Sequence, residues 1–250
     1  MSGDPLLTIL PAADKPLLDA ARAVLTTSGL PPVVLIGGLA VTARLSEAGV
    51  GHRATIDIDL VTTYREPGSE ASDLIADAHH SQRDPLVVRG VKVDIIPTSP
   101  VTERDLEGLD DGSRLFVAGH RWAFETGEHV RLATTESDHL DVRIATVAGL
   151  VTAKSHAVGH PNARRRATKH GSDLLDLYRL VDLHDADGSL AEDIRGGPAH
   201  LNRIVADVVD REICTNPARA ATSMSPASPT PIDAVQVSDT MESFVDGLRR

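Results

Sequence analysis

The chain has 250 residues, 41% of them hydrophobic but only 2% aromatic, and a formal net charge of −11 at pH 7. That length suits one large domain or two small ones with a real core of Val, Leu, Ile and Ala. The acidic balance argues against a broad nucleic-acid coat, which needs a basic field, and the lone Cys214 excludes an internal disulfide framework and a cysteine-based zinc site.

The start, MSGDPLLTIL, has no basic stretch and no long apolar run, so it does not read as a signal peptide. No segment approaches the ~20 apolar residues that span a bilayer. The expectation is a cytoplasmic protein with no membrane partner.

DKPLLDAARAVLTTSG predicts a helix: Asp14 can cap it, Pro16 sits in its first turn, and Leu17, Leu18, Ala21, Val24 and Leu25 share a stripe. PPVVLIGG predicts a short buried strand. A helix follows directly after Gly37 and Gly38, and Gly49 and Gly51 mark a loop. TIDIDLVT reads as the next strand, with Ile56, Ile58 and Leu60 toward a core. SEASDLIADAHH predicts a helix over 69–80 capped by Ser69, and PLVVRGVKVDIIP two extended pieces around Gly90. Residues 113–134 have strand character, with turns near Gly119 and Gly127. From about Ser137 the pattern turns helical: two long helices separated by Gly159 and Pro161, then SLAEDIR and PAHLNRIVADVVDREIC.

At Thr215 the composition shifts to Ser, Ala, Pro and Thr, which reads as a flexible linker. A last amphipathic piece carries Met241, Phe244, Val245 and Leu248 on one stripe. The predicted fold class is α/β (α+β). An α/β unit with a mixed sheet covers residues 1–135, a helical domain covers 136–214, and the linker with the amphipathic segment covers 215–250.

The chemistry centres on Ile56-Asp57-Ile58-Asp59-Leu60. In a strand Asp57 and Asp59 share one face, ~7 Å apart. Like charges that close raise each other's pKa unless a cation intervenes, and hard divalent ions such as Mg²⁺ accept such oxygens. A lone D-x-D is more often the polar face of a solvated edge strand, so its neighbours must decide. Gly37 and Gly38 before a helix let a backbone approach a ligand at the positive end of the helix dipole, a setting for phosphate that equally fits a plain turn. Asp94 lies in VKVDIIP; if that strand pairs beside the Asp57 strand, the three carboxylates form one cluster. Such a cluster beside a phosphate-cradling turn suits two-metal phosphoryl or nucleotidyl transfer.

The order GG, D-x-D and a later lone Asp resembles the nucleotidyltransferase superfamily that includes DNA polymerase β. More narrowly, IGGLAVTARLSEAGVGHRATIDIDLV and the later GLVTAKSHAVGHPNARRRATKHGSDLLDLYRLV are similar to the AbiEii/AbiGii toxin family, which includes the MenT toxins. The resemblance covers roughly residues 33–182. It implies a polymerase β-like domain in which Gly37 and Gly38 hold an NTP's triphosphate. Asp57, Asp59 and Asp94 ligate Mg²⁺ (or Mn²⁺), with Asp94 also a candidate base. Lys154 reaches the nucleotide phosphates with help from Arg53, and Asp173 sits near Lys154, with Asp176 as the alternative acid. It further implies a toxin of a toxin–antitoxin pair, a tRNA 3′ end or a protein hydroxyl as acceptor, and a cognate antitoxin or regulator protein as partner. The chain departs from the pattern in carrying Gly38 where many members have Ser, and in the four-residue step from Lys169 to Asp173.

The basic run Arg164, Arg165, Arg166 and Lys169 suits an acceptor RNA backbone or a solvated helix start. His156 and His160 have i,i+4 spacing but no evident third ligand. Two rivals stand beside the transferase: a small-molecule, aminoglycoside-type nucleotidyltransferase, which the acidic charge suits, and a non-catalytic nucleotide-binding or antitoxin module.

Overall fold

The structure, a computed structural model, describes residues 6–26, 31–51, 53, 55–63, 86–135 and 138–250. The helix expected over 69–80 lies outside the described residues. Strands β1 (Leu6–Ile9), β2 (Val33–Ile36), β3 (Asp57–Thr63), β4 (Leu86–Val88), β5 (Val91–Thr98), β6 (Glu128–Thr135) and β7 (Asp138–Ile144) form one mixed sheet in the order β1-β6-β7-β2-β3-β5-β4. β3 runs parallel to β5 and antiparallel to β2. The fold is therefore α/β with a mixed sheet.

Helix α1 (Lys15–Leu25) buries Leu17, Leu18, Ala21 and Val24, the expected stripe. The helix expected after the glycine pair is α2 (Gly37–Glu47), and it includes both glycines as its first residues. Ile58 and Leu60 are fully buried, as the alternation requires, but Ile56 precedes β3 and is 83% exposed.

Residues 113–134 do not form strand throughout. Most of their first part belongs to α3 (Asp111–Glu125), whose N-cap Asp110 accepts a hydrogen bond from the Ser113 N–H at 2.8 Å. Phe, Val and Trp suggested a strand, yet Leu115, Phe116, Gly119 and Ala123 are buried at helical spacing. Gly119 is mid-helix because Thr152 Cγ2 packs 2.7 Å from where a Cβ would lie. The helical pattern expected from Ser137 begins later. β7 comes first and pairs antiparallel with β6, so the sheet extends past residue 135 to Ile144.

Then follow α4 (Val147–Gly159), α5 (Ala167–His184), α6 (Ser189–Arg195), α7 (Leu201–Val209), a π-helical turn Asp210–Cys214, α8 (Pro217–Met224) and α9 (Ala234–Arg249). α2 packs on β2 and β3, α3 on β2, β3 and β5, and α4 against both helices and α5. The stretch expected to be a linker holds α8, capped by Asn216, which buries Ala220, Ala221 and Met224 against α5. Small residues read as flexible are here the ones that permit close helix packing. α9 buries Val237, Met241, Phe244, Val245 and Leu248, docking its stripe on α5, α7 and α8. At about 25 cal/mol per Å² of apolar area removed from water, such a stripe stabilises the chain end by several kcal/mol before entropy. Among the described residues no helix is long and apolar enough to cross a membrane.

Candidate active site

β3 and β5 are paired so that Asp59 lies opposite Asp94 and Asp57 opposite Lys92. The alternation that buries Ile58 and Leu60 thereby sends three carboxylates to one face. Ligand oxygens of Asp57, Asp59 and Asp94 all lie within 4.8 Å of one another. They form the one group of three or more candidate metal-ligating side chains found among the described residues.

Each acid has its own surroundings. Asp57 takes a long hydrogen bond from the Thr55 hydroxyl at 3.3 Å and lies 3.8 Å from the half-exposed Lys169 ammonium. Asp94 is buried and receives Lys92 Nζ on Oδ2 at 2.5 Å, while its Oδ1 is buried with no hydrogen-bond partner. A buried acceptor without a donor is costly unless something else meets it. Burial pushes the Asp59 carboxyl up to about 6; Asp57 and Asp94 push the same way, while Lys169 and Lys154 pull it back. Without a cation, the site holds its central carboxylate at a cost.

Gly37 and Gly38 open α2 beside this cluster. Gly37 has φ +70°, a conformation that L side chains avoid, and a Cβ there would collide with the Asp59 carboxylate. A Cβ on Gly38 would meet the Thr55 hydroxyl at 2.5 Å. The N-cap Ile36 offers no side-chain cap, so the first N–H groups of α2 are left for other acceptors at the positive end of its dipole.

Behind the cluster lies a buried charge quartet. Lys154 on α4 reaches Asp173 Oδ1 at 2.7 Å and Asp176 Oδ2 at 2.6 Å, both on α5 one turn apart. Arg53 forks onto Asp176 through Nε at 2.9 Å and Nη2 at 2.8 Å. Burial alone would lower the Lys154 pKa, but Asp173 and Asp176 more than reverse it, so the ammonium stays charged. Two cations against two anions make the quartet electroneutral, which is what allows it to be buried.

The structure thus brings together Gly37, Gly38, Arg53, Asp57, Asp59, Asp94, Lys154, Asp173 and Lys169. Asp173 and Asp176 are not alternatives, since both hold Lys154. Arg53 is tied to Asp176 and bridges the segment before β3 to α5. Lys92 was missed, although its place two residues before Asp94 on one strand face is the signal that finds it. The basic run divides: Lys169 turns to Asp57, whereas Arg164 turns to Glu212 at 2.8 Å. Arg166 is exposed at the start of α5, and the Arg165 side chain lies outside the described part. His156 does not join a metal group; its ring packs against Phe116, His120 and His160 with centroids 5.1, 5.8 and 5.9 Å away. Compared with known proteins, the chain matches no family model and no curated protein.

Proposed function

We propose that the protein is a Mg²⁺-dependent nucleotidyltransferase that moves a nucleoside monophosphate from an NTP to an acceptor hydroxyl and releases pyrophosphate. The observation that carries this reading is the convergence of Asp57, Asp59 and Asp94, with oxygens within 4.8 Å, on the glycine start of α2. The donor set fits a hard divalent ion: it is all carboxylate oxygen, and the buried Asp94 Oδ1 has no other partner among the described residues. Mg²⁺ (or Mn²⁺) held there supplies charge stabilisation at the phosphoryl oxygens and a lowered pKa for the attacking hydroxyl.

The chain's own groups divide the remaining work. The α2 N–H groups donate to the triphosphate oxygens, which approach Gly37-Gly38 closely because no Cβ intervenes. Lys154, fixed by Asp173 and Asp176, presents its charge toward the cluster as a point charge. Arg53 positions Asp176 and closes the glycine turn against α5. Asp94 takes the proton of the acceptor hydroxyl as oxygen attacks the α-phosphorus. The bond from that phosphorus to the bridging oxygen breaks, and pyrophosphate departs. In this reading the sheet with α1–α3 is the polymerase β-like domain and the helices after it are its helical partner.

The resemblance of the RATIDIDL and GLVTAKSHAV…DLLDLYRLV segments to AbiEii/MenT proteins supports a toxin of a toxin–antitoxin system acting in the cytoplasm. The tRNA 3′ end is the favoured acceptor, a protein hydroxyl the second, and a cognate antitoxin the partner. The net charge of −11 favours a cationic small molecule as the rival acceptor. The test is pyrophosphate release from each common NTP with Mg²⁺ and, separately, tRNA, a protein mixture or an aminoglycoside. Release with tRNA supports the reading. Release with the aminoglycoside alone moves it to the small-molecule class, and NTP binding without release in any arm leaves only a binding module.

A further inference from the structure

On the far flank of α5 from the acidic cluster lies a cavity of ≈ 360 Å³. Helical geometry separates the two: Lys169, Asp173 and Asp176 share one side of α5, while Ala167, His170 and Leu174 line the cavity on another. Its walls include Arg164 from the turn before α5, Arg211 and Glu212 from the π-helical turn, and Asn216 and Arg219 at the start of α8. Glu212, its side chain 6% exposed, holds Arg164 at 2.8 Å and Arg211 at 2.9 Å. Three guanidiniums thus face one carboxylate, and that carboxylate is spent in fixing two of them. Arg219 has no carboxylate partner within ion-pair range among the described residues, and the buried His170 Nδ1 has no hydrogen-bond partner. In a chain with a net charge of −11, so local a positive excess points to a contact with one anionic group, such as a single phosphate, rather than a track along many.

We infer that this cavity binds a backbone phosphate of the acceptor RNA strand, a few nucleotides from the hydroxyl that reacts at the acidic cluster. The inference rests on the transferase reading for the acceptor's role, though not for the pocket itself. The two sites stand on different flanks of one helix, hence at least about a helix diameter, ~10–12 Å, apart. A stacked strand rises ~3.4 Å per nucleotide, so about three nucleotides or more bridge the gap. Arginine suits the contact because its planar fork grips phosphate oxygens in pairs, and two of the three forks are already held in place. Arg164 thereby acts in the pocket while Lys169, five residues on, faces the reacting end.

The test uses the full chain with Arg219→Ala and Arg219→Glu, since Arg219 is exposed and its loss strands no buried charge. Arg195→Ala, exposed on α6, controls for lost charge. Anisotropy of a short labelled single-stranded RNA is measured in EDTA across a salt series, followed by KM for tRNA and for NTP. Arg219→Ala should weaken RNA binding about tenfold and flatten the slope of log K against log salt by about 0.7. It should raise KM for tRNA while leaving KM for NTP unchanged, and Arg219→Glu should weaken binding further. Unchanged RNA affinity and slope, with transfer intact, overturn the inference. Binding that depends on Arg219 without transfer by the unaltered protein keeps the pocket and overturns the transferase reading instead.

Discussion

Replacing Asp59 by Asn should stabilise the metal-free protein while abolishing its activity. Burial and the neighbouring Asp57 and Asp94 raise the Asp59 carboxyl from 3.8 to about 6. At 1.36 kcal/mol per pH unit, ionising it in the folded state costs about 3 kcal/mol at most. The folded chain holds this proton more tightly than the unfolded chain, so stability is full below pH ~4 and falls as the pH rises through ~6. Asn has nearly the same shape and nothing to ionise. In EDTA the variant and the parent should match near pH 4, and by pH 8 the variant should lead by up to about 3 kcal/mol. For a chain of this size that is about 6–12 °C in Tm. Denaturant melts of both proteins from pH 4 to 8 measure the difference, in which titrating groups distant from Asp59 cancel and its coupled neighbours Asp57, Asp94, Lys154 and Lys169 do not. Added Mg²⁺ should raise the parent's stability and not the variant's. A variant no more stable than the parent at pH 8, or a difference that does not close at pH 4, refutes the claim that the site strains its central carboxylate.

Lys154→Ala leaves Asp173 and half of the Asp176 partnership uncompensated in the interior, and should cost about 3–5 kcal/mol in urea melts. That is the opposite sign from Asp59→Asn, although both should be inactive. Gly37→Ala forces a Cβ into an αL position and onto the Asp59 carboxylate. It should cost at least 1–2 kcal/mol and remove the Mg²⁺-dependent rise in Tm. Phe244→Ala, at a fully buried side chain of α9, should cost about 3–5 kcal/mol in denaturant melts. A value near zero would mean that the C-terminal helix does not belong to the cooperative fold.

Local pattern carried much of the site. Alternation placed Asp57 and Asp59 on one strand face, and the VKVDIIP segment supplied Asp94, which pairs in register with Asp59. What the pattern could not give was which residues meet across long separations. Arg53 and Asp176 are 123 positions apart, and only the folded chain shows that they form a fork. Local preference also misled where packing overrode it. Phe116, Val117 and Trp122 favour strands, yet the burial spacing of α3 and the Asp110 cap make a helix. β7 carries a strand signal, since DHLDVRI alternates polar and aliphatic residues, but it runs directly into a helical pattern that masks it, and its pairing with β6 is non-local. The Ser- and Ala-rich stretch after Thr215 looked like linker because small residues carry little hydrophobic signal. Against α5 those same residues allow α8 to pack closely.

The central claim is that Asp57, Asp59 and Asp94 act together to transfer a nucleotide. The measurement that tests it most directly is incorporation of label from each α-³²P NTP, with Mg²⁺, into total tRNA, by the unaltered protein and by Asp59→Asn. The account predicts labelled tRNA with at least one NTP for the unaltered protein and none for the folded variant. Equal labelling by both proteins would contradict it, because the carboxylate at the centre of the cluster would then have no part in the reaction.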